Sequence, residues 1–345
     1  MNNPFNEFYH VPNSKELLDI AFKRGMKSSA QVSKNAPIII KAKKKESKRI
    51  KVVIEELINR IQNIIKMVPI IDNLPEFYKE LASVLVNIDD LKLTLGKING
   101  ILPILSKIER EYISKLNRIE NPKEGDQLRR AAFGRISSII TKQNPNFEYL
   151  NEIRGRLREI PSIDYTMPCV VVAGYPNVGK SSIVKNISTN KKIEVKEYPF
   201  TTKKLNMGHI EIERRFDKIK IQCLDTPGIL DRPMHQRNNI ELQAILALRL
   251  ISDLILFIFD PTPACGYNIG SQIELFNEIK QNFSKEGNIE ILIVINKIDL
   301  AKDSEIQYLI KRLDLKENEF YQTNALRGEN LDKIVNELRD RFRDY

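Results

Sequence analysis

Apolar residues recur at three- and four-residue intervals from about Ile50 to Ile160, and then the rhythm changes. The segments "VVIEELINRIQNIIKM", "PEFYKELASVLVNIDDLKLTL", "KINGILPILSKIEREYISKLNRI", "DQLRRAAFGRISSIITKQ" and "NFEYLNEIRGRLREI" each carry the stripe of an amphipathic helix. Pro69, Pro75, Pro122, Pro145 and Pro161 fall in or near the gaps, where a ring without an N–H restrains helix continuation. Pro103 lies inside the third segment and marks either a kink or a helix start just before it. The pattern predicts an antiparallel all-α helical bundle.

After Pro161 the apolar runs become short and mostly β-branched. "CVVVAG", "IKIQCLD", "DLILFIFD" and "IEILIVIN" suit strands buried on both faces of a parallel sheet. Amphipathic segments at Lys180–Ser188, Asn239–Ile251, Gly270–Phe283, Ser304–Leu313 and Leu331–Phe342 separate them. That alternation predicts a doubly wound α/β domain with a mostly parallel sheet. "MGHIEIERR" and "KIKIQCLD" predict a local antiparallel pair at one edge.

Charge adds a third region. The first 167 residues hold 29 Lys and Arg against 20 Asp and Glu, whereas the remainder is nearly balanced at 26 against 25. Residues 15–51 alone hold 12 basic and 3 acidic residues, centred on "KAKKKESKRIK". Such a density can displace counterions from a nucleic-acid backbone; a solvated tail or helix face is the competing reading. The expected organisation is therefore a basic N-terminal arm over 1–51, a helical bundle over 52–165 and an α/β domain over 166–345. No apolar run approaches the ~20 residues of a membrane span, and the N-terminal stretch lacks the core of a signal peptide. These features predict a cytoplasmic chain with no membrane partner. Cys169, Cys223 and Cys265 are too widely spaced for a disulfide framework or a zinc site and are expected as buried thiols.

The chemistry sits where "CVVVAG" opens into a glycine-rich turn. Gly174, Tyr175, Pro176, Asn177, Val178, Gly179, Lys180, Ser181 and Ser182 fit G-x-x-x-x-G-K-[ST], between a predicted strand and a predicted helix. Backbone N–H groups of such a loop cradle phosphates, Lys180 reaches the β- and γ-phosphates, and the Ser181 hydroxyl reaches Mg²⁺. "INKIDL" selects the base: a carboxylate at Asp299 accepts from both N1–H and the 2-amino group of guanine, donors that adenine lacks there. Lys297 is expected along the base, and Asn296 is expected to tie this loop to the phosphate loop. The domain is thus an α/β P-loop GTPase domain, taking GTP and GDP with Mg²⁺.

Three further stretches complete the set. In "CLDTPGIL", Asp225 suits a water-mediated Mg²⁺ contact and the Gly228 N–H suits the γ-phosphate. In "TNALRGENL", Ala325 and Leu326 fit a turn whose backbone meets the guanine oxygen, with Asn324 in place of the usual serine. In "EYPFTTKK", Thr202 is the first choice to close on Mg²⁺ and γ-phosphate, and Thr201 the alternate. Lys180, Thr202 and Gly228 are the groups expected to act on the reacting phosphate. The position after the glycine, where many GTPases orient water with glutamine, is Ile229, so intrinsic hydrolysis is expected to be slow. Arg232, His235 and Arg237 are either substitutes for it or solvated switch residues. Asn177 either holds an activating K⁺ or is a plain loop asparagine.

"YPFTTK" and the apolar residue after "DTPG" resemble the Obg-related translation GTPases. "GYPNVGKSS", "YPFTTKKLNMGHI", "DTPGILDRPMHQRNNIELQAI", "ACGYNI", "LRRAAFGRI", "VPNSKELLDIAFKR" and "LPEFYKELASVL" resemble the nucleolar GTP-binding protein 1 family across nearly the whole chain. That resemblance implies a role in large ribosomal subunit assembly, with the subunit precursor, its rRNA and ribosomal proteins as partners. The basic residues 15–51 would meet the RNA, and the free protein would be a monomer. Eukaryotic members continue past the GTPase domain, and a chain ending at Tyr345 with Lys- and Ile-rich composition implies an archaeal, cytoplasmic member, nucleolar only in a eukaryote. Two other readings stay open: a nucleotide-gated binding module that barely hydrolyses GTP, and a signalling or RNA-modification GTPase.

Overall fold

The computed structural model describes residues 3–33, 35–190, 193–197, 204–213, 218–226, 228, 230–233, 236–284, 289–343 and 345. They form two compact units, one from residues 4–74 and 85–158, the other from 1–3, 75–84 and 159–345.

The first unit is helical, and several of its helices start at an asparagine, Asn13, Asn87 or Asn121, whose side chain accepts from their free N–H groups. Helix α1 (Ser14–Lys27) begins at a capping box, with Asn13 Oδ1 accepting from the Glu16 N–H and the Glu16 carboxylate accepting from the Asn13 N–H, both at 2.9 Å. Helix α2 spans Ile38–Met67. After α3 (Glu76–Leu85) come α4 (Ile88–Asn99), α5 (Ile101–Asn117), α6 (Pro122–Lys142) and α7 (Asn144–Arg158). The expected single helix "PEFYKELASVLVNIDDLKLTL" is two, because Asn87 caps α4 by accepting from the N–H groups of Asp89 and Asp90. Pro103 sits in the first turn of α5, where its missing N–H costs nothing, so it marks a start and not a kink.

Helix α2 is the hub of this unit and packs against α1, α4, α5 and α6. Its Ile50, Val53, Ile54, Leu57 and Ile61 have no exposed surface. The separate arm expected over 1–51 is therefore corrected. Leu17 and Ala21 of α1 are fully buried, and α2 runs unbroken through residue 51. Its apolar stripe begins at Ile50, inside the basic stretch, so that stretch is part of a helix packed in the bundle while its lysines stay at the surface. Two acidic residues of α2 are drawn inside with it. Glu46 lies 3.0 Å from Arg49 Nη1 and 2.8 Å from Arg129 Nε of α6. Glu56 pairs with Arg60 at 2.7 Å and with Arg24 of α1.

The second unit carries a seven-stranded sheet in the order β2-β3-β4-β1-β5-β6-β7. The strands are β1 (Cys169–Ala173), β2 (Glu194–Glu197), β3 (Lys204–Glu213), β4 (Lys218–Asp225), β5 (Leu254–Phe259), β6 (Glu290–Ile295) and β7 (Phe320–Gln322). β4, β1, β5, β6 and β7 run parallel, and β3 pairs antiparallel with β4 as expected. The pair does not end the sheet, since β2 adds to β3 as the edge strand. Helices α8 (Lys180–Ile187), α9 (Asn239–Ala247), α10 (Ile269–Ile279), α11 (Asp303–Leu313) and α12 (Leu331–Arg341) alternate with the strands. Phe257 and Phe259 of β5 meet Phe276 of α10 at 5.2 and 5.6 Å between ring centroids, one of the seams joining helix to sheet. The three cysteines are buried and unpaired, and burial pushes the Cys223 thiol up to about 12.

The expected boundary at residue 165 also moves. Tyr78 of α3 is 1% exposed, and its hydroxyl donates to the Ile163 carbonyl and accepts from the Ile163 N–H, both at 3.1 Å. A buried phenol needs such partners, and burial raises its pKa. Gln222 of β4 in turn holds the Asp164 N–H at 3.1 Å, so α3 and residues 159–165 belong to the sheet's unit. No described helix is long and apolar enough to cross a membrane.

The helical unit yields one stability prediction. Glu46→Ala strips a buried carboxylate from Arg49 and Arg129 and is expected to cost about 3–5 kcal/mol. Glu46→Gln, which keeps an acceptor, is expected to lose less. Urea unfolding followed by helical circular dichroism measures both.

Candidate nucleotide-binding site

The glycine-rich loop joins the end of β1 to the start of α8, beside the carboxyl ends of β4, β5 and β6. Its geometry demands glycine twice. Gly174 has φ +136°, and a Cβ there would stand 2.5 Å from the Ile258 carbonyl oxygen. Gly179 has φ +107°, and a Cβ there would strike the Asn296 amide. Asn177 takes the left-handed conformation at φ 63° between them. A cleft of about 370 Å³ opens at the N-terminus of α8, lined by Pro176, Asn177, Gly179, Lys180, Ser181, Ser182 and Asp231. Helix N–H groups and the positive dipole end of α8 favour an anion there. Lys180 is 6% exposed and folds across the loop, its Nζ donating to the Gly174 and Tyr175 carbonyls at 2.7 Å each. Val178 and Tyr175 are buried walls; the Tyr175 ring lies 4.4 Å from that of Tyr267.

At the end of β4, Asp225 has no exposed surface. Its Oδ2 accepts from Ser181 Oγ at 2.5 Å and from Asn206 Nδ2 at 2.9 Å. Its Oδ1 is buried without a hydrogen-bond partner among the described residues. An orphaned carboxylate oxygen beside a hydroxyl fits the water shell of Mg²⁺, which keeps several waters and takes its other oxygens from phosphates. Ser181 and Asp225 would hold the ion, which when bound neutralises charge on phosphate oxygens. Among the described residues no group of three or more His, Cys, Asp or Glu forms an all-protein metal cage. Thr201 and Thr202, like Ile229 and His235, lie outside the described residues.

Asn296 joins three loops. Its side chain is 2% exposed, donates from Nδ2 to the Val178 carbonyl at 2.8 Å, and accepts at Oδ1 from the Ala325 N–H at 2.9 Å and Thr323 Oγ1 at 3.2 Å. The phosphate loop, the N-K-x-D turn and the 323–325 turn are thus one hydrogen-bonded body. Asp299 projects from the turn, exposed, and makes no hydrogen bond or ion pair to a described residue.

Lys297, at φ 60°, departs from the simple expectation: its ammonium pairs with Asp260 Oδ2 at 2.7 Å, so any contact along a base falls to its stem. The turn at Asn324 also differs. The Ala325 N–H is bonded to Asn296, and the Leu326 N–H to Asn324 Oδ1 at 3.1 Å. A base oxygen therefore meets these donors only as a second acceptor.

The Gly228 N–H is likewise occupied. It donates to Asp231 Oδ2 at 2.7 Å, while Arg237 Nη1 donates to the Gly228 carbonyl at 3.1 Å and Nη2 lies 3.4 Å from Asp231 Oδ1. Arg237 has no exposed side-chain surface, and burial lowers its pKa. It is a buried brace, not the solvated residue one reading allowed. Arg232 is half exposed, 3.6 Å from Glu241.

Sequence reasoning missed Asn186, Asn206, Asp231, Asp260 and Gln272. Asn186 Nδ2 donates to the Ala325 carbonyl at 2.6 Å. Asp260 closes β5 as Asp225 closes β4, with Thr262 donating to Asp260 Oδ1 from N–H and hydroxyl at 2.9 and 2.7 Å. Gln272 of α10 clasps the Asp260 peptide on both sides, at 3.0 and 2.8 Å. An aspartate directly after a buried apolar run was the available signal for Asp260; the others carry none.

Residues 5–164 match the family model described as the NOG1 N-terminal helical domain, and residues 239–299 the one described as nucleolar GTP-binding protein 1. An uncharacterized protein of Methanocaldococcus jannaschii is 37% identical over 306 residues, 88% of this chain and 83% of that one. Nucleolar GTP-binding protein 1 of Eremothecium gossypii is 32% identical over 94% of this chain and 50% of its own length. The chain spans about half the length of the curated eukaryotic relatives it matches. A crystal structure of a Plasmodium falciparum nucleolar GTP-binding protein 1 is 34% identical over 53% of this chain and 89% of that one, with a TM-score of 0.42. With its helical domain, its P-loop GTPase fold and relatives matched over most of its length, the chain belongs to the nucleolar GTP-binding protein 1 family.

Proposed function

We propose that the chain binds and hydrolyses GTP as a switch in large ribosomal subunit assembly, holding RNA through the basic face of α2. The observation that carries the nucleotide part is Asn296, whose buried amide locks the phosphate loop to the turn bearing the unpartnered Asp299 carboxylate. One rigid body then measures both ends of a guanine nucleotide. The α8 N-terminus and loop N–H groups hold the phosphates, and Lys180 turns from the Gly174 and Tyr175 carbonyls to the β- and γ-oxygens. Asp299 accepts the guanine donors. With Ile229 after the glycine, no side chain at that position orients water, so the reaction is slow without help.

The ribosomal part rests on α2 and on the names of the relatives. Glu46 is the acidic residue of "KAKKKESKRIK", and it is turned inward at 5% exposure. The surface left outside is basic: Lys44, Lys45, Lys48 and Lys51 are exposed. A cleft of about 710 Å³ is lined by Lys43, Lys44, Lys48 and Lys51 with Ser29 and Gln31. Convergent lysines around a concave surface fit a phosphate backbone.

Three measurements check this reading. Asp299→Asn is expected to weaken GTP binding by on the order of a hundredfold and to favour xanthosine triphosphate, whose base supplies an acceptor to the new amide. Unchanged guanine selectivity would refute the assignment. Replacing Lys44, Lys48 and Lys51 together by Gln leaves the core of α2 intact and is expected to flatten the salt dependence of RNA binding by about two to three units of log–log slope. Fluorescence anisotropy across a KCl series reads this, and an unaltered slope makes the face merely solvated. GTP turnover is expected to be faster in KCl than in NaCl, with Asn177→Ala abolishing the difference; equal rates for the native chain remove K⁺ from the mechanism.

A further inference from the structure

The donor that a γ-phosphate needs from the switch loop is already taken by an anion. The Gly228 N–H bonds Asp231 Oδ2 at 2.7 Å, and Asp231 lines the phosphate cleft together with Asn177, Lys180 and Ser181. This is a built arrangement. Arg237 grips the Gly228 carbonyl and the other Asp231 oxygen, and the guanidinium and carboxylate are both buried. The Leu230 carbonyl accepts from the Gly174 N–H at 3.0 Å, so the segment carrying Asp231 is laced to the first residue of the phosphate loop. The Leu230 side chain is fully buried beneath it.

We propose that Asp231 is a built-in competitor of the terminal phosphate. Its carboxylate holds the Gly228 N–H, GTP must displace it and GDP need not, so Asp231 sets the preference between the two nucleotides. One N–H cannot serve two anionic acceptors at full strength, and a carboxylate beside a phosphate oxygen in a buried cleft is repelled. The exchange leaves Arg237 supported, because its bond to the Gly228 carbonyl keeps it beside whichever anion occupies the glycine. Asp231 is thus a specificity-determining residue acting through Gly228. The inference rests on the guanine-nucleotide reading above.

The test uses the full chain with Mg²⁺, fluorescent GDP and a fluorescent non-hydrolysable GTP analogue. Asp231→Ala is expected to raise the ratio of analogue affinity to GDP affinity about tenfold. Asp231→Asn is isosteric, keeps an acceptor for Gly228 but lacks the charge, and is expected to raise the ratio by less. It carries the test if the alanine variant does not fold. A ratio within twofold of native in the variant that folds, or parallel weakening of both nucleotides, overturns the proposal and leaves Asp231 a support of the loop. In the native chain, amide exchange over 228–237 is expected to be slow with GDP and faster with the analogue as the carboxylate lets go; equal protection in both overturns it too. A native chain that binds neither nucleotide sinks the guanine reading itself, a distinct result from an unshifted ratio.

Discussion

The Asn296 amide, sealed from water, is bonded in two directions at once. Its Nδ2 holds the Val178 carbonyl, and its Oδ1 holds the Ala325 N–H and the Thr323 hydroxyl. A buried amide left unsatisfied costs about 1–3 kcal/mol per group, so the three loops cannot drift apart singly. Position 179 is glycine for two reasons, its left-handed φ and the Asn296 amide that occupies the space a Cβ would need. Position, register and the shape of the phosphate cleft all descend from this contact. Asp260 extends it on the far side of the turn, anchoring Lys297 while its own loop is fixed by Thr262 and Gln272.

Against this rigid end stands the segment of Gly228, Asp231 and Arg237, whose polar contacts lie beside the buried Leu230 side chain. In the Gly228–Asp231–Arg237 set, Arg237 Nε is buried without a hydrogen-bond partner among the described residues, and the bonds made to the Asp231 carboxylate are of the kind a phosphate oxygen can also accept. A switch requires such a state, with two arrangements of similar cost and a ligand that prefers one. The neighbouring Asp225 shows the opposite economy. One of its oxygens is fully engaged by Ser181 and Asn206 and the other by nothing described, an imbalance that an incoming hydrated cation would relieve.

What the sequence made legible was whatever is governed by local periodicity or by fixed spacing. The β-branched runs became β1, β4, β5 and β6 because burial on both faces leaves no other pattern. The phosphate loop and the N-K-x-D turn were readable because their spacing is set by the ligand's own dimensions. Other features depended on partners far away in the chain. Nothing near Asn206 or Asn186 announces a bond to Asp225 or Ala325, and Asp231 reads as an ordinary loop aspartate until Arg237 is folded over it. Net charge misled outright at the N-terminus. By charge alone the basic stretch reads as an arm, whereas Ile50, Val53 and Ile54 on the same helix decide where it lies. Glu46 is buried together with Arg49 and Arg129, which it neutralises where water is scarce, while the buried Glu56 carboxylate is met by the more exposed Arg24 and Arg60.

The bond between Tyr78 and Ile163 has a consequence for how the chain is made. The sheet's unit is assembled from pieces of sequence on either side of residues 85–158, so it is not contiguous. During synthesis from the N-terminus, α3 leaves the ribosome long before the peptide that satisfies its phenol, and before any strand of the sheet exists. Its apolar face, with Phe77, Tyr78 and Leu81 buried in the finished fold, must wait in solvent while the helices between are completed. Helical units with local contacts form quickly, which shortens that wait. The order of elements thus places the fast-folding segment inside the slow one, and a fragment cut between residues 85 and 158 would separate α3 from the Ile163 peptide that satisfies its phenol.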